Sequence, residues 1–364
     1  EYLLRAGDQA RLAYAHAEAI DYYQRTLTFL KLQEKHERAA RTLMKLGLTY
    51  HTAYDFQRSR EAYDEGFALW QQAGEAAEGV LPPAPHALRV ASGDPPTLDP
   101  AMCYDTASAG MINQLFSGLV EESWEMNVVP DVARTWEVLE GGRKYVFHLR
   151  DDVHWSDGAA VTAWDFEYAW KRVLHPVTGS PNASLLYDIK GARAFHQGDV
   201  SNPDQVGVRS LDKLTLVVEL EGPTAYFLHL LAYTIAYPVP RRVVEAHGEA
   251  WTNADNIVAN GPFQLEIWNR DESVFFAHNP EYHGRRRGNL ERVELSLLEP
   301  EDWPARLEMY ETDSLDIFRF VALPPSERDR ARQQHAGEYV LPPGTATTYV
   351  SFDTSRSPFD DPRV

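Results

Sequence analysis

The sequence predicts a mixed α/β fold preceded by an all-α segment, and three observations indicate this. Residues 2–73 contain almost no proline and no alternating strand pattern, whereas small and aromatic residues recur at helical spacing. From residue 88 onwards, short alternating strands and amphipathic helices follow one another irregularly, which favours a mixed architecture over a doubly wound sheet. Between them, residues 74–87 (GEAAEGVLPPAPHA) are rich in small residues and proline, which is typical of a linker.

Composition limits the classes of function. A chain of 364 residues with 44% apolar content is long enough for two to three domains with real cores. The net charge of -19 argues against a nucleic-acid-binding surface, which needs concentrated Lys and Arg. The single cysteine, Cys103, excludes an internal disulfide and a multi-cysteine metal site. No apolar run approaches the ~20 residues of a membrane span. Because the chain starts with Glu1 in a helical pattern, we expect that an upstream segment, such as a signal peptide or a further domain, has been cut off.

The stretch Arg143–Val173 specifies a strand, a turn and a helix in direct succession. Its first part alternates apolar and polar side chains with a period of two, as a strand with one buried face does. Asp157-Gly158 then turns the chain, and Thr162 with Asp165 three residues later has the pattern of a helix capping box. The predicted helix carries one apolar stripe, formed by Phe166, Ala169, Trp170 and Val173.

Further elements are expected around this stretch. Apolar alternation and turn residues predict strands at 87–91, 205–208, 215–220 and 293–297, hairpins at 136–149 and 261–276, and helices at 111–120 and 226–233.

The string around Trp155-Ser156-Asp157-Gly158 resembles the signature of the bacterial extracellular solute-binding proteins of family 5, the oligopeptide- and dipeptide-binding group. The family's other landmarks follow in order as TLDP (97–100), LFSGL (115–119), PDVA (130–133), YPVP (237–240), NGPF (260–263), NPEY (279–282) and PFDD (358–361). The resemblance covers the chain from about Leu88 to its last residue.

By this resemblance, residues 88–344 form a lobe like that of type II periplasmic binding proteins, with an inserted subdomain at 119–237. Residues 345–364 begin a second lobe, most of which we expect to be missing. A ligand would lie between the two lobes. We therefore expect this chain alone to bind ligand weakly or not at all.

The first 73 residues resemble tetratricopeptide repeats. Leu46-Gly47 and Tyr50 fall on one helix, with Tyr63 and Gly66 on its partner, and Gly7 marks an earlier copy. In such pairs Gly lets the helices approach closely while Tyr fills the groove between them. The alternative is a single helical bundle attached for stability.

The resemblance places a ligand-contacting segment at Tyr104, Asp105 and Thr106, where main-chain groups rather than side chains matter. Peptide-binding members of the family hold an extended ligand by adding it as a strand. The alternative for these three residues is an ordinary surface loop.

Three further positions match ligand-binding positions of the family, two of them with departures. Asn182 and Arg319 fall where, or near where, oligopeptide binders carry aromatic residues, so peptide specificity does not transfer directly. Arg319 is a candidate to meet a ligand carboxylate. Tyr349 matches an aromatic at the lobe junction, and its alternative role is a strand tyrosine packed between lobes.

The sequence contains no motif of a catalytic, metal or cofactor site. His148 and His154, which flank Asp151-Asp152, are an alternative metal site, but the family pattern places them on a strand end and its turn. Asp157 and Asp165 are explained by turn and cap roles rather than by acid–base chemistry. Arg285-Arg286-Arg287 is interpreted as a solvated loop.

The predicted function is non-catalytic binding of oligopeptides or a similar small solute. The chain would serve either as the capture component of an ABC importer, with a permease as partner, or as the sensor of a regulator that meets a partner protein through its repeats. The family implies an extracytoplasmic location for the first role, and the repeats suit a cytoplasmic one for the second. The alternative class is an interaction scaffold that has lost its ligand.

Overall fold

A computed structural model of the chain describes residues 2–33, 35–76, 86–123, 126–284, 290–319, 323–340 and 352–361. The chain divides into two compact units, Glu1–Phe318 and Arg319–Val364. Within the described part of the second unit, one helix, Pro325–Gln334, is present.

The first unit begins with four helices, α1 (Tyr2–Leu12), α2 (His16–Leu32), α3 (His36–Thr52) and α4 (Phe56–Ala76), each packed on the next. A Cβ atom at Gly47 would lie 3.0 Å from the ring of Tyr63, and one at Gly7 only 2.7 Å from that of Tyr23. The close approach expected of these glycines is therefore present. Helix α4 runs three residues beyond the predicted end of the helical segment. Its membership of the tetratricopeptide repeats stays a prediction.

Within the described ranges, ten strands follow in two four-stranded sheets and one short hairpin. They are β1 (His86–Ser92), β2 (Val120–Glu122), β3 (Val128–Pro130), β4 (Ala133–Leu139), β5 (Lys144–Leu149), β6 (Val208–Asp212), β7 (Thr215–Glu219), β8 (Phe263–Asn269), β9 (Ser273–His278) and β10 (Leu290–Leu297). One sheet has the order β1-β10-β9-β8, with β1 parallel to β10 and the other pairs antiparallel. The second, entirely antiparallel, has the order β4-β5-β7-β6, and β2 pairs with β3. This is a mixed α/β architecture, as predicted.

Among the residues that the structure describes, seven more α-helices lie between and after the strands. They are α5 (Thr106–Leu115), α6 (Ala163–Leu174), α7 (Ala192–His196), α8 (Phe227–Leu230), α9 (Arg241–His247), α10 (Trp303–Glu311) and α11 (Pro325–Gln334). Across the described ranges, none of the helices combines the length and apolarity that a bilayer crossing demands.

The strand, turn and helix predicted for residues 143–173 are confirmed. Alternate residues of β5 are buried, Gly158 turns the chain at a φ of +83°, and α6 starts where the capping pattern placed it. The Asp165 carboxylate accepts hydrogen bonds from the Thr162 N–H and hydroxyl, both at 2.8 Å. On the buried face of α6, the Trp170 indole donates to the Ala236 carbonyl at 2.9 Å.

Two predicted elements are wrong in position. The helix expected at 111–120 starts at Thr106 and ends at Leu115, because Asp105 caps it through the Ser108 N–H at 2.8 Å. The strand expected at 205–208 starts only at Val208, because Asn202 caps a 3₁₀ turn at Pro203–Gln205.

The helical segment packs directly on the β4–β7 sheet. The rings of Tyr63 and Trp136 lie 4.5 Å apart between centroids, and both side chains are fully buried. Nearby, the His51 Nε2 atom lies 3.3 Å from the Tyr145 hydroxyl. Helix α4 and the sheet therefore share one hydrophobic core, although the linker separates them in the sequence.

Candidate functional site

The segment Leu98–Thr106 crosses from the β1 side of the fold into α5 and is fixed at both ends by aspartates. Asp99 caps a 3₁₀ helix at Pro100–Met102 by accepting a hydrogen bond from the Ala101 N–H at 2.9 Å. Asp105 caps α5 with its Oδ1 atom. Between the caps the chain is extended, with φ and ψ of -67° and 123° at Cys103 and -127° and 164° at Asp105.

Tyr104 lies at the middle of this short extended stretch and is 65% exposed. Among the residues that the structure describes, no hydrogen bond reaches its N–H or its carbonyl, nor the N–H of Asp105. An exposed, extended and unpaired main chain is the edge on which another strand can pair. We call residues Cys103–Asp105 the open edge.

Side chains from the loop after α6 donate hydrogen bonds to the main chain of the open edge and of the turn before it. The Asn182 side-chain amide donates to the Cys103 carbonyl at 2.8 Å, and the buried Ser180 hydroxyl donates to the Ala101 carbonyl at 2.5 Å. Both contacts join residues 79 positions apart in the chain.

Asp99 is the centre of a buried polar network beneath the open edge. Arg172 on α6 donates to its two carboxylate oxygens at 2.9 and 2.5 Å, and the Trp251 indole donates at 3.2 Å. Burial, the largest single cause, lowers the pKa of Arg172, but the hydrogen bonds and the charge attraction to Asp99 together with the effect of Tyr168 outweigh it, so the net pKa is raised. A bidentate pair of this kind fixes geometry as well as charge.

Cys103 is buried and faces away from solvent. Burial raises the pKa of its thiol, so the group is held protonated. The residue next to the exposed tyrosine is therefore a packing group rather than a nucleophile.

The structure brings some of the predicted site residues together. Tyr104, Asp105 and Thr106 are contiguous in the open edge and the first turn of α5, and Asn182 contacts this segment through Cys103. Arg319 is the first residue of the second unit. Tyr349 lies outside the described residues.

Sequence reasoning missed the residues that support the edge. Asp99 followed by Pro100 has the pattern of a cap with proline at the first helical position, and this signal could have found it. Arg172 gave no comparable signal, because it lies on the polar side of an amphipathic helix.

The alternative metal site at His148 and His154 is occupied by local contacts. His148 Nε2 lies 3.0 Å from Glu137, His154 Nδ1 lies 3.2 Å from the Asp152 carbonyl, and Arg150 binds the Asp152 carboxylate. In the described part of the chain, no group of three or more His, Cys, Asp and Glu side chains is arranged to hold a metal ion.

Comparisons with known proteins agree with the geometry. Residues 127–364 match the family described as bacterial extracellular solute-binding proteins, family 5 Middle. The chain is 34% identical over 273 residues to the probable deoxycholate-binding periplasmic protein YgiS of Escherichia coli, covering 74% of this chain and 50% of that protein. It is 32% identical over 295 residues to the periplasmic murein peptide-binding protein MppA of the same organism, covering 80% and 54%.

Solved structures give the same result. Burkholderia pseudomallei OppA superposes with a TM-score of 0.65 at 31% identity, covering 70% of this chain and 49% of that one. Haemophilus influenzae OppA in complex with RPPGFSPFR gives a TM-score of 0.68 at 27% identity, covering 78% and 55%. The chain thus spans about half the length of the curated relatives it matches.

Proposed function

Since the chain belongs to the bacterial extracellular solute-binding proteins of family 5, we propose that it contributes one side of a site that binds oligopeptides without altering them. The observation that carries the proposal is the open edge, where Tyr104 is exposed and its N–H and carbonyl have no hydrogen-bond partner among the described residues. A peptide laid along it would donate to the Tyr104 carbonyl and accept from the Tyr104 N–H, because the two groups of one extended residue point to the same side. The Asp105 N–H belongs to the same trans peptide unit as the Tyr104 carbonyl and points the opposite way.

Recognition through main-chain hydrogen bonds does not depend on the amino-acid sequence of the peptide. Each new hydrogen bond contributes about 0.5–1.5 kcal/mol net, so the two bonds at Tyr104 supply about 1–3 kcal/mol. A dissociation constant near 1 mM corresponds to about -4 kcal/mol, so contact of the ligand with the exposed Tyr104 ring has to supply the remainder. Contacts from a second lobe would add to it in a longer protein.

Peptides fit the open edge better than an amphipathic solute such as the deoxycholate named for YgiS. A steroid offers a few polar atoms on a large apolar body, and it cannot satisfy a row of main-chain donors and acceptors. Tyr104 adds an exposed aromatic ring, which can cover ligand side chains of many kinds.

We infer further that the chain does not catalyse a reaction on its ligand. The thiol nearest the open edge is buried and protonated, and the two histidines considered for a metal site are held by neighbouring groups. These observations favour a binding role. The proposed partner is the permease of an ABC importer, which the family membership suggests.

A sensor within a regulator is the second candidate, and the packing of the helical segment favours it. Tyr63 and Trp136 are buried against each other, so helices and sheet would move as one body rather than as tethered modules. A scaffold that has lost its ligand would keep this packing but would leave the open edge without a use.

The test is an NMR titration of the chain labelled with ¹⁵N-tyrosine. Of the 18 tyrosine signals, that of Tyr104 is identified by its loss in Tyr104→Phe. Trialanine is expected to shift this signal with a dissociation constant of about 1 mM. Trialanine with N-methylated peptide bonds lacks the donors and is expected to bind about tenfold more weakly. Peptide without effect on Tyr104, or deoxycholate shifting it where peptides do not, would overturn the proposal.

A further inference from the structure

None of the strands that the structure describes pairs with the open edge to hold its shape. In a sheet, neighbouring strands fix the main chain of an edge strand, whereas Cys103–Asp105 lies between a 3₁₀ turn and a helix. A free segment of this length samples many conformations, and a ligand that needs one of them binds more weakly by the fraction of time spent there. The edge therefore needs support from elsewhere in the fold.

That support comes from α6 and the loop after it, and the contacts alternate along the segment. Arg172 fixes Asp99, Ser180 fixes Ala101 and Asn182 fixes Cys103, at every second residue. The side chains of Arg172 and Asp99 are 19% and 10% exposed, and Ser180 is 6% exposed, so the first two contacts are shielded from water.

We infer that Arg172, Ser180 and Asn182 are positioning residues that preset the open edge for its ligand. Asn182 acts through the Cys103 carbonyl, which it holds on the side away from the ligand. The inference rests on the proposed function, because that function makes the open edge a ligand-binding segment. The effect of Asn182 on the conformation of the open edge can nevertheless be measured without any ligand.

A matched pair of substitutions tests it. Asn182→Asp keeps the size of the side chain and removes the N–H donor that binds Cys103. Asn202→Asp makes the same change at an exposed site where the side chain acts only as an acceptor, from the Asp204 N–H at 2.9 Å, so its contact survives. Asn182→Ala removes the donor without adding charge.

Three quantities are measured for each variant: the ¹⁵N signal of Tyr104 without ligand, the dissociation constant for trialanine, and the thermal midpoint. Both Asn182 variants are expected to move the Tyr104 signal toward its position in the unfolded chain. They should also weaken trialanine binding by about three- to tenfold, the effect of freeing a segment held by one hydrogen bond. Asn202→Asp should change neither the Tyr104 signal nor the dissociation constant. The thermal midpoints of all three variants should stay close together.

Each alternative outcome is distinct. A Tyr104 signal that stays in place while affinity falls would mean that Asn182 contacts the ligand, and would overturn the positioning role. A signal and an affinity that both stay unchanged would overturn it as well. If the wild-type chain binds no peptide, the proposed function fails, but the Tyr104 signal still decides whether Asn182 sets the edge. Should an Asn182 variant not fold, Ser180→Ala tests the neighbouring contact in the same way.

Discussion

His51 makes the packing of the helical segment on the sheet sensitive to pH. Its side chain is only 1% exposed, its Nε2 atom lies 3.3 Å from the Tyr145 hydroxyl, and the Phe56 ring lies 5.4 Å away. Burial lowers the pKa of His51 from 6.5 to about 4, and the nearby His229 adds to this effect. The neutral imidazole is therefore the form that the folded protein accommodates.

The direction of the pH dependence follows from the difference between the folded and unfolded states. Well above pH 6.5 the imidazole is neutral in both states, so it does not change the free energy of unfolding. Below pH 6.5 the unfolded chain takes up a proton that the folded protein does not, so the free energy of unfolding falls. By pH 4.5 this single group is expected to lower the free energy of unfolding by about 2–3 kcal/mol.

The assay is urea unfolding between pH 7.5 and 4.5 for the wild-type chain and two variants. His51→Gln removes the titrating group, so its free energy of unfolding should fall by about 2–3 kcal/mol less than that of the wild type over this range. Tyr145→Phe keeps His51 buried and should retain the wild-type dependence, because burial is the main cause of the shift. Parallel pH curves for the wild type and His51→Gln would refute the reasoning.

Two further substitutions test the packing. Tyr63→Ala removes a fully buried ring between α4 and the sheet and should lower the free energy of unfolding by about 3–5 kcal/mol, whereas Tyr54→Ala at a 60% exposed position should have little effect in the same urea titration. Gly261→Ala would place a Cβ atom 2.6 Å from the backbone carbon of residue 115 and should cost about 1–3 kcal/mol. Gly110→Ala, with open space around it inside α5, should instead stabilise by about 0.5–1 kcal/mol, and equal effects of the two glycine changes would contradict the close approach.

The sequence predicted correctly those secondary-structure elements that are determined by residues close to one another in the chain. The β5 strand, the turn at Asp157-Gly158 and the start of α6 depend on alternation, a glycine and a cap that lie within a few residues of one another. Helix α5 starts earlier than predicted because Asp105 caps it, and residues 106–110 carry too few apolar side chains to show a helical stripe.

Contacts between distant parts of the chain could not be predicted from one sequence. Nothing local to Asn182 indicates that its amide reaches the Cys103 carbonyl, and nothing local to Trp136 indicates that a helix from before the linker covers it. The resemblance to the solute-binding family located the open edge, but its support comes from the way the α6 region folds back on it.

The central claim is that a peptide pairs with the main chain at Tyr104, and hydrogen exchange of single amides tests it most directly. The Tyr104 and Asp105 N–H groups have no partner among the described residues, so they should exchange fast in the free protein. Near-saturating trialanine is expected to slow exchange of the Tyr104 amide, whereas the Asp105 amide, which points to the other side of the extended segment, stays fast and serves as an internal control. N-methylated trialanine should leave both amides fast. Protection elsewhere in the chain, with the Tyr104 amide unchanged, would contradict the account.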